Sequence, residues 1–305
     1  MCGIVGYIGF REATDVIIKG LKRLEYRGYD SAGVAILNGD VSVRKGKGKV
    51  INLEKAVHES AIAGTAGIGH TRWATHGEPT DQNAHPHWDG DHDFAIVHNG
   101  IIENYDALRK ELTQKGHVFD GQTDTEVLAH LIQEVQRMGT ADFEQAIQIA
   151  LSQVDGTYGL AIVNKHEPDK IYVARKGSPL LLGIGDGEIF VASDASPIVE
   201  YTSKVVYLDD GEMATLTRGG YQVKTIENVK LSKDVHELEM SIEQIEKAGF
   251  PHFMLKEIHE QHETIADCMR GRLSVENNNV VLGGIADVLF GQEFYGDHPI
   301  GTVAI

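Results

Sequence analysis

The chain has 305 residues, 42% of them hydrophobic, enough for one large domain or two modest ones with real cores. Forty-five acidic against 28 basic residues leave a formal charge of −17, which argues against nucleic acid and other polyanions as partners. No apolar run reaches the ~18 residues of a membrane helix, and two cysteines, Cys2 and Cys268, cannot build a disulfide framework, so a reducing, cytoplasmic setting is expected.

The N-terminus, MCGIVGYIGF, has neither a basic leader nor a cleavage pattern. Ile4–Ile8 and Gly33–Leu37 read as buried strands. Between them Ala13, Val16, Ile17, Gly20, Leu21 and Leu24 form a helical stripe. The basic run from Arg44 to Lys49, glycine-spaced, reads as a solvated hairpin. Asn52 and Asn104 are candidate N-caps for the second and third helices. Thr123 with Glu126 is a capping-box pair opening a helix that buries Val127, Leu128, Leu131, Ile132 and Val135. Phe143, Ala146, Ile147, Ala150 and Leu151 make the next stripe. Strands follow at Tyr158–Asn164, Ile171–Arg175, Ile189–Ala192, Lys204–Leu208, Met213–Leu216 and Tyr221–Thr225, the first two parted by the turn Glu167-Pro168-Asp169. Strands joined by hairpins, with helices in pairs, indicate an α+β fold. From Leu231 the chain turns polar and helical, as a linker would.

Cys2 carries the most chemistry. Loss of Met1 would leave one residue with both a thiol, of ordinary pKa ~8.5, and a free α-amine, of pKa ~7.7–8.0, so that nucleophile and base would sit together. Position alone is weak evidence, because a cysteine at position two is more often a packing residue. Its company is CGIVG at 2–6, RLEYRGYDSAG at 23–33, HTRWATHG at 70–77, NAHPH at 83–87, HNGIIENY at 98–105 and TDTE at 123–126.

Together these motifs resemble the glutaminase domain of the glutamine:fructose-6-phosphate amidotransferase (glucosamine-6-phosphate synthase) family. The resemblance is dense over 2–230 and continues through KEIHEQ at 256–261 and RGRL at 270–273. The run Arg72-Trp73-Ala74-Thr75-His76-Gly77 separates it from the phosphoribosyl-pyrophosphate amidotransferases and glutamate synthases. It implies a four-layer αββα N-terminal-nucleophile hydrolase fold over 2–230, a helical linker over 231–289 towards an isomerase region, and a tail at 290–305 unlike the family.

The resemblance also implies roles. Cys2 would attack the side-chain amide of L-glutamine, with its own amine relaying the proton. The Asn99 amide and the Gly100 N–H would form an oxyanion hole. Arg72 would take the substrate carboxylate in a fork and Asp124 the ammonium. Trp73, Thr75 and His76 would complete the glutamine pocket, Arg27 and Gly28 would position the nucleophile, and 72–80 would be a closing loop. No cofactor and no metal are implied. Fructose-6-phosphate would be engaged only through an isomerase region that this chain lacks, and a homodimer is compatible with the family.

Each residue alone has a plainer reading. Arg72 suits a surface ion pair, Asp124 a helix's first turn, and Asn99-Gly100 a hairpin turn. His85, His87, His92 and His98 invite a zinc reading, but the spacing supplies no third ligand of a recognised pattern. The glycines at 183, 185 and 187 lack the following helix of a phosphate loop. His262 and Cys268 stand where relatives carry a proline and a small polar residue. The alternative to an active glutaminase is a non-catalytic glutamine-binding or regulatory remnant.

Overall fold

In the computed structural model, residues 2–73, 77–139, 142–238, 250–269, 273–274 and 279–280 are described. Along β1 (Gly3–Ile8), Ile4 and Ile8 join one core cluster while Val5 and Tyr7 join another. That two-residue period, which is the pleat of a strand buried on both faces, organises the first of two compact units, Met1–Ile242.

Two antiparallel sheets make its centre. The eight-stranded sheet runs β15 (His236–Glu237), β11 (Lys204–Tyr207), β9 (Leu181–Ile184), β10 (Ile189–Ala192), β1, β4 (Ala66–Arg72), β2 (Ser31–Leu37) and β3 (Val41–Lys47). The seven-stranded sheet runs β14 (Lys230–Leu231), β13 (Gly220–Thr225), β12 (Glu212–Thr217), β8 (Ile171–Lys176), β7 (Gly156–Asn164), β6 (Phe94–Ile102) and β5 (His87–Trp88). Their inner faces meet in one core, with Ile4, Ile8, Ala35 and Ile68 from the first sheet and Ala95, Val97, Ala161 and Val173 from the second.

The outer faces carry helices. α1 (Ala13–Leu24) and α2 (Val50–Glu59) bury Ile17, Leu21 and Leu53 among Val5, Tyr7, Val34 and Ile36. α3 (Tyr105–Gln114), α4 (Asp124–Arg137) and α5 (Phe143–Ser152) bury Leu112, Leu128, Ile132 and Phe143 among Phe94, Ile96, Leu160 and Tyr172. Three cores between four layers give the αββα arrangement, and burial on both faces is why its central strands read as near-continuous apolar runs.

Several local expectations change. α2 begins at Val50, two residues before Asn52, because the Glu25 carboxylate caps the Val50 N–H at 2.7 Å. Asn104 does precede α3, yet its side chain bonds the Gln153 carbonyl and the Asp155 N–H instead of capping. Thr123 caps α4 through the Glu126 N–H, but the Glu126 carboxylate turns to the N–H groups of Asp120 and Gly121, so only half of the capping box forms. The basic run is a strand of a hairpin, as expected, but Lys45 is not solvated. Its ammonium donates to the carbonyls of Gln82, Ala84 and Pro86 at 2.8–3.1 Å, and burial pulls its pKa down to about 8.

Of the second unit, Glu243–Ile305, the described part is α6 (Phe253–Met269) and a pair of two-residue strands, Leu273–Ser274 and Asn279–Val280. Residues 290–305 and the Cys268 side chain lie outside the described residues.

Candidate active site

The site forms where the N-terminal end of β1 meets the ends of β4 and β6. Pairing of β1 with β4 sets Gly3 opposite Thr71, which brings Cys2 to Trp73. The Trp73 N–H donates to Cys2 Sγ at 3.2 Å, and Sγ lies 3.5 Å from the Trp73 carbonyl. Burial raises the thiol pKa, opposed by the Trp73 N–H, the chain's amino terminus and Arg72. The neutral thiol is therefore the resting form, and a base is needed to make it a nucleophile.

Asn99 arrives from β6. Its amide nitrogen donates to the Cys2 carbonyl at 3.2 Å, and its amide oxygen lies 2.9 Å from His70 Nε2. The next residue, Gly100, has φ +135°, and a Cβ there would lie 2.1 Å from the Thr157 carbonyl oxygen. Only glycine fits that backbone without displacement. Asn99-Gly100 is thus no hairpin turn: both lie within β6, paired to Gly159 and Tyr158 of β7.

A cavity of about 330 Å³ opens beside them, within the usual range for small-molecule sites. Cys2, Arg27, Arg72, Trp73, Asn99, Gly100 and Asp124 all line it. Asp124 is buried as the first residue of α4, its two oxygens accepting from the N–H groups of Ile102 (2.9 Å) and Thr125 (3.0 Å). The helix terminus suits its charge as well. Arg72 is buried too, and its guanidinium donates to the carbonyls of Gly77 (3.2 Å) and Glu78 (3.3 Å), with burial lowering its pKa. A surface ion pair is therefore the wrong picture of Arg72.

Arg27 is held by the Ser193 carbonyl and the Asp194 carboxylate. Gly28 packs its bare α-carbon on the backbone of Arg72 and Trp73, where a Cβ would come within 2.8 Å. Trp73 is half-exposed and meets Tyr29 edge-to-face at 5.8 Å. Thr75 and His76 lie outside the described residues.

The same cavity is lined by residues outside the motifs, Thr157, Ser178, Pro179 and Ser193. They come from β7 and the segments following β8 and β10, and no local sequence signal marks them. Ser193 exchanges bonds with Ile4, its Oγ accepting from the Ile4 N–H and its own N–H donating to the Ile4 carbonyl, which fixes the start of β1. His85 and His98 line the wall as well and belong to a hydrogen-bonded cluster rather than a metal set. Among the described residues no group of three or more His, Cys, Asp or Glu side chains is arranged to hold a metal ion.

Comparison with known proteins agrees with this geometry. Residues 70–200 match the family model of the glutamine amidotransferase domain. Curated relatives named glutamine–fructose-6-phosphate aminotransferase (isomerizing) include that of Chlorobaculum tepidum, 59% identical over 95% of this chain and 48% of its own length. That of Thermococcus kodakarensis is 54% identical over 90% of this chain and 46% of its own length. The chain thus spans about half the length of these relatives. Among solved structures, a glutamine phosphoribosylpyrophosphate amidotransferase from B. subtilis aligns with TM-score 0.64 and 29% identity, covering 74% of this chain and 49% of that one. Family model, relatives and fold agree: the chain belongs to the N-terminal-nucleophile glutamine amidotransferases, as a domain of the kind found in the glutamine–fructose-6-phosphate aminotransferases.

Proposed function

We propose that this domain hydrolyses L-glutamine to glutamate and ammonia through a thioester on Cys2, after removal of Met1. The observation that carries the reading is the bond from the Asn99 amide to the Cys2 carbonyl at the edge of a small-molecule cavity. It holds the intended oxyanion donor against the nucleophile's own residue.

The steps follow from the groups present. The Cys2 α-amine takes the thiol proton as Sγ bonds to the substrate's amide carbon, leaving a negative oxygen. The Asn99 side-chain N–H and the Gly100 main-chain N–H stabilise that oxygen, fixed before the charge appears. As the intermediate collapses, the carbon–nitrogen bond breaks and the ammonium of Cys2 returns its proton to the departing ammonia. Water, deprotonated by the same amine, then attacks the thioester, and glutamate and the free thiol are regenerated.

Binding rests on the two charged groups carried by the substrate's α-carbon. The Asp124 carboxylate takes the substrate's α-ammonium. Arg72 exchanges its loop carbonyls for the α-carboxylate, so that residues 72–80 close as substrate binds. Arg27 and Gly28 steady the wall behind Cys2, and Trp73, Thr75 and His76 cover the substrate. In the longer proteins that carry this domain the ammonia would serve amination of fructose-6-phosphate in an isomerase region. A reducing, cytoplasmic compartment suits a mechanism that needs a free thiol.

The test is ammonia and glutamate release from glutamine by the purified chain, with the N-terminal residue read by mass spectrometry. Turnover is expected with Cys2 at the terminus and to vanish in Cys2→Ala. Glutamine binding without turnover by a Met1-free chain would favour a regulatory remnant instead.

A further inference from the structure

Behind Asn99 lies an unbroken line of five hydrogen-bond links. His98 Nε2 lies 3.2 Å from the Thr157 carbonyl, and His98 Nδ1 is 3.0 Å from Thr125 Oγ1. Thr125 Oγ1 is 2.9 Å from His85 Nε2, His85 Nδ1 is 3.0 Å from His70 Nδ1, and His70 Nε2 is 2.9 Å from Asn99 Oδ1. His70, His85, His98 and Thr125 are all buried. Burial lowers the pKa of all three imidazoles, His70 to about 3, so the line is neutral near pH 7.

Neutral imidazoles carry one N–H each and threonine one O–H. Four protons must therefore serve five links, and both ends of the line are oxygens that only accept. One link must go without a proton, leaving two acceptors face to face. At the Thr157 end a bare nitrogen would face one carbonyl. At the Asn99 end a bare His70 Nε2 would face two acceptors, Asn99 Oδ1 and, at 3.1 Å, the His98 carbonyl. Unpaired acceptors forced together are costly in proportion to their number and closeness. The inner links are 2.9–3.0 Å and the Thr157 link is the longest of the five at 3.2 Å, so the missing proton falls at the Thr157 end.

We infer that His70, His85, Thr125 and His98 are positioning residues that fix the orientation of the Asn99 amide. With Nε2–H on His70 donating to Asn99 Oδ1, the amide nitrogen must face Cys2 and the cavity. The order then propagates outward: His85 donates through Nδ1–H, Thr125 through its hydroxyl to His85 Nε2, and His98 through Nδ1–H. A flipped amide would meet the His70 N–H with its own NH2 group and set its oxygen against the Cys2 carbonyl. The relay thereby keeps an N–H, not an oxygen, at the place where negative charge develops, and in this it rests on the oxyanion reading of Asn99.

The experiment is long-range 15N–1H NMR of the full chain with labelled imidazoles at neutral pH. The expected pattern is Nε2–H on His70 with Nδ1–H on both His85 and His98. Any pattern with a bare Nε2 on His70 overturns the inference. Thr125→Val removes one proton and two links, leaving three protons for three links, so His98 should switch to Nε2–H. If His98 keeps Nδ1–H there, the proton count is wrong.

Kinetics supply the second arm. His70→Leu should lower kcat by about tenfold or more, towards the ~10²–10³ of losing an oxyanion donor outright, with KM for glutamine changed much less. An unchanged kcat would remove the positioning role. If Asn99→Ala itself leaves kcat unaltered, the oxyanion reading fails, while the tautomer pattern still decides the relay independently.

Discussion

The Asn99 amide nitrogen sits 3.2 Å from the main-chain oxygen of Cys2, a bond between residues ninety-seven apart in the chain. It joins a strand of the seven-stranded sheet to the residue just before β1 of the eight-stranded one. The proposed nucleophile and the proposed oxyanion donor are therefore held by opposite layers of the sandwich.

On the proposed mechanism, replacing Asn99 by Ala removes one donor from the place where the oxyanion forms. The expected outcome is a fall in kcat of about 10²–10³ with little change in glutamine affinity. Steady-state kinetics with glutamate as the readout decide it. A rise in KM at constant kcat would instead assign Asn99 to ground-state binding.

Gly100→Ala should harm both stability and turnover. Its φ of +135° disfavours any side chain, and the new Cβ would press on the Thr157 carbonyl. Gly139, at φ +85° with nothing within 4 Å, is the control. Gly139→Ala should cost about 1 kcal/mol of backbone strain and leave kcat intact. Gly100→Ala should cost more in urea unfolding and depress kcat as well, since the N–H it displaces is the proposed second oxyanion donor. Equal losses in the two variants would contradict the close approach.

Arg72→Ala and Asp124→Ala should each raise KM for glutamine by orders of magnitude, because an uncompensated buried charge costs about 3–5 kcal/mol. The pairing is tested with substrate analogues. Asp124→Ala should lose its preference for glutamine over the des-amino analogue, and Arg72→Ala its preference over the analogue without the α-carboxylate. Retained preference in the matching variant would break the assignment.

Acid should unfold the domain from below pH ~6.5, where free histidine titrates. Burial holds His70 at about 3 and His130 at about 4, and keeps His85, His87 and His98 below the ordinary value as well. These bases have folded pKa values below their unfolded ones. The unfolded chain therefore binds more protons as pH falls from 6.5 towards 4, and the folded state loses stability over that window. Each such histidine contributes up to ~1.4 kcal/mol per pH unit. Urea unfolding at pH 7 and pH 5 should show that loss, with protons taken up on unfolding at pH 5. Stability unchanged across that interval would mean the buried imidazoles are charged.

Most of the layering was legible in the chain. The apolar stripes of α1, α4 and α5 and the runs of β1, β2, β7 and β8 fall where periodicity put them, because burying one helix face or both strand faces leaves a local pattern. Helix starts were less so: α2 is capped by Glu25 from twenty-five residues away, and no local pattern encodes that partner. Lys45 looked like one of several solvated lysines until the 82–86 segment wrapped its ammonium in three carbonyls.

The sequence by itself determined which chemical groups are available, through Cys2, Arg72, Asn99-Gly100 and Asp124 in their motifs, and it determined the family they resemble. Only the tertiary structure decided that Asn99 touches Cys2, that Asp124 points its carboxylate at Ile102 and Thr125 N–H groups, and that Thr157 and Ser193 wall the same cavity. It alone also decided that four side chains from four motifs share too few protons in one buried line. Motifs are local and report composition at one place along the chain. Distances across two sheets are set by strand register and by the packing of the core between them, and those arise from contacts among residues far apart in sequence.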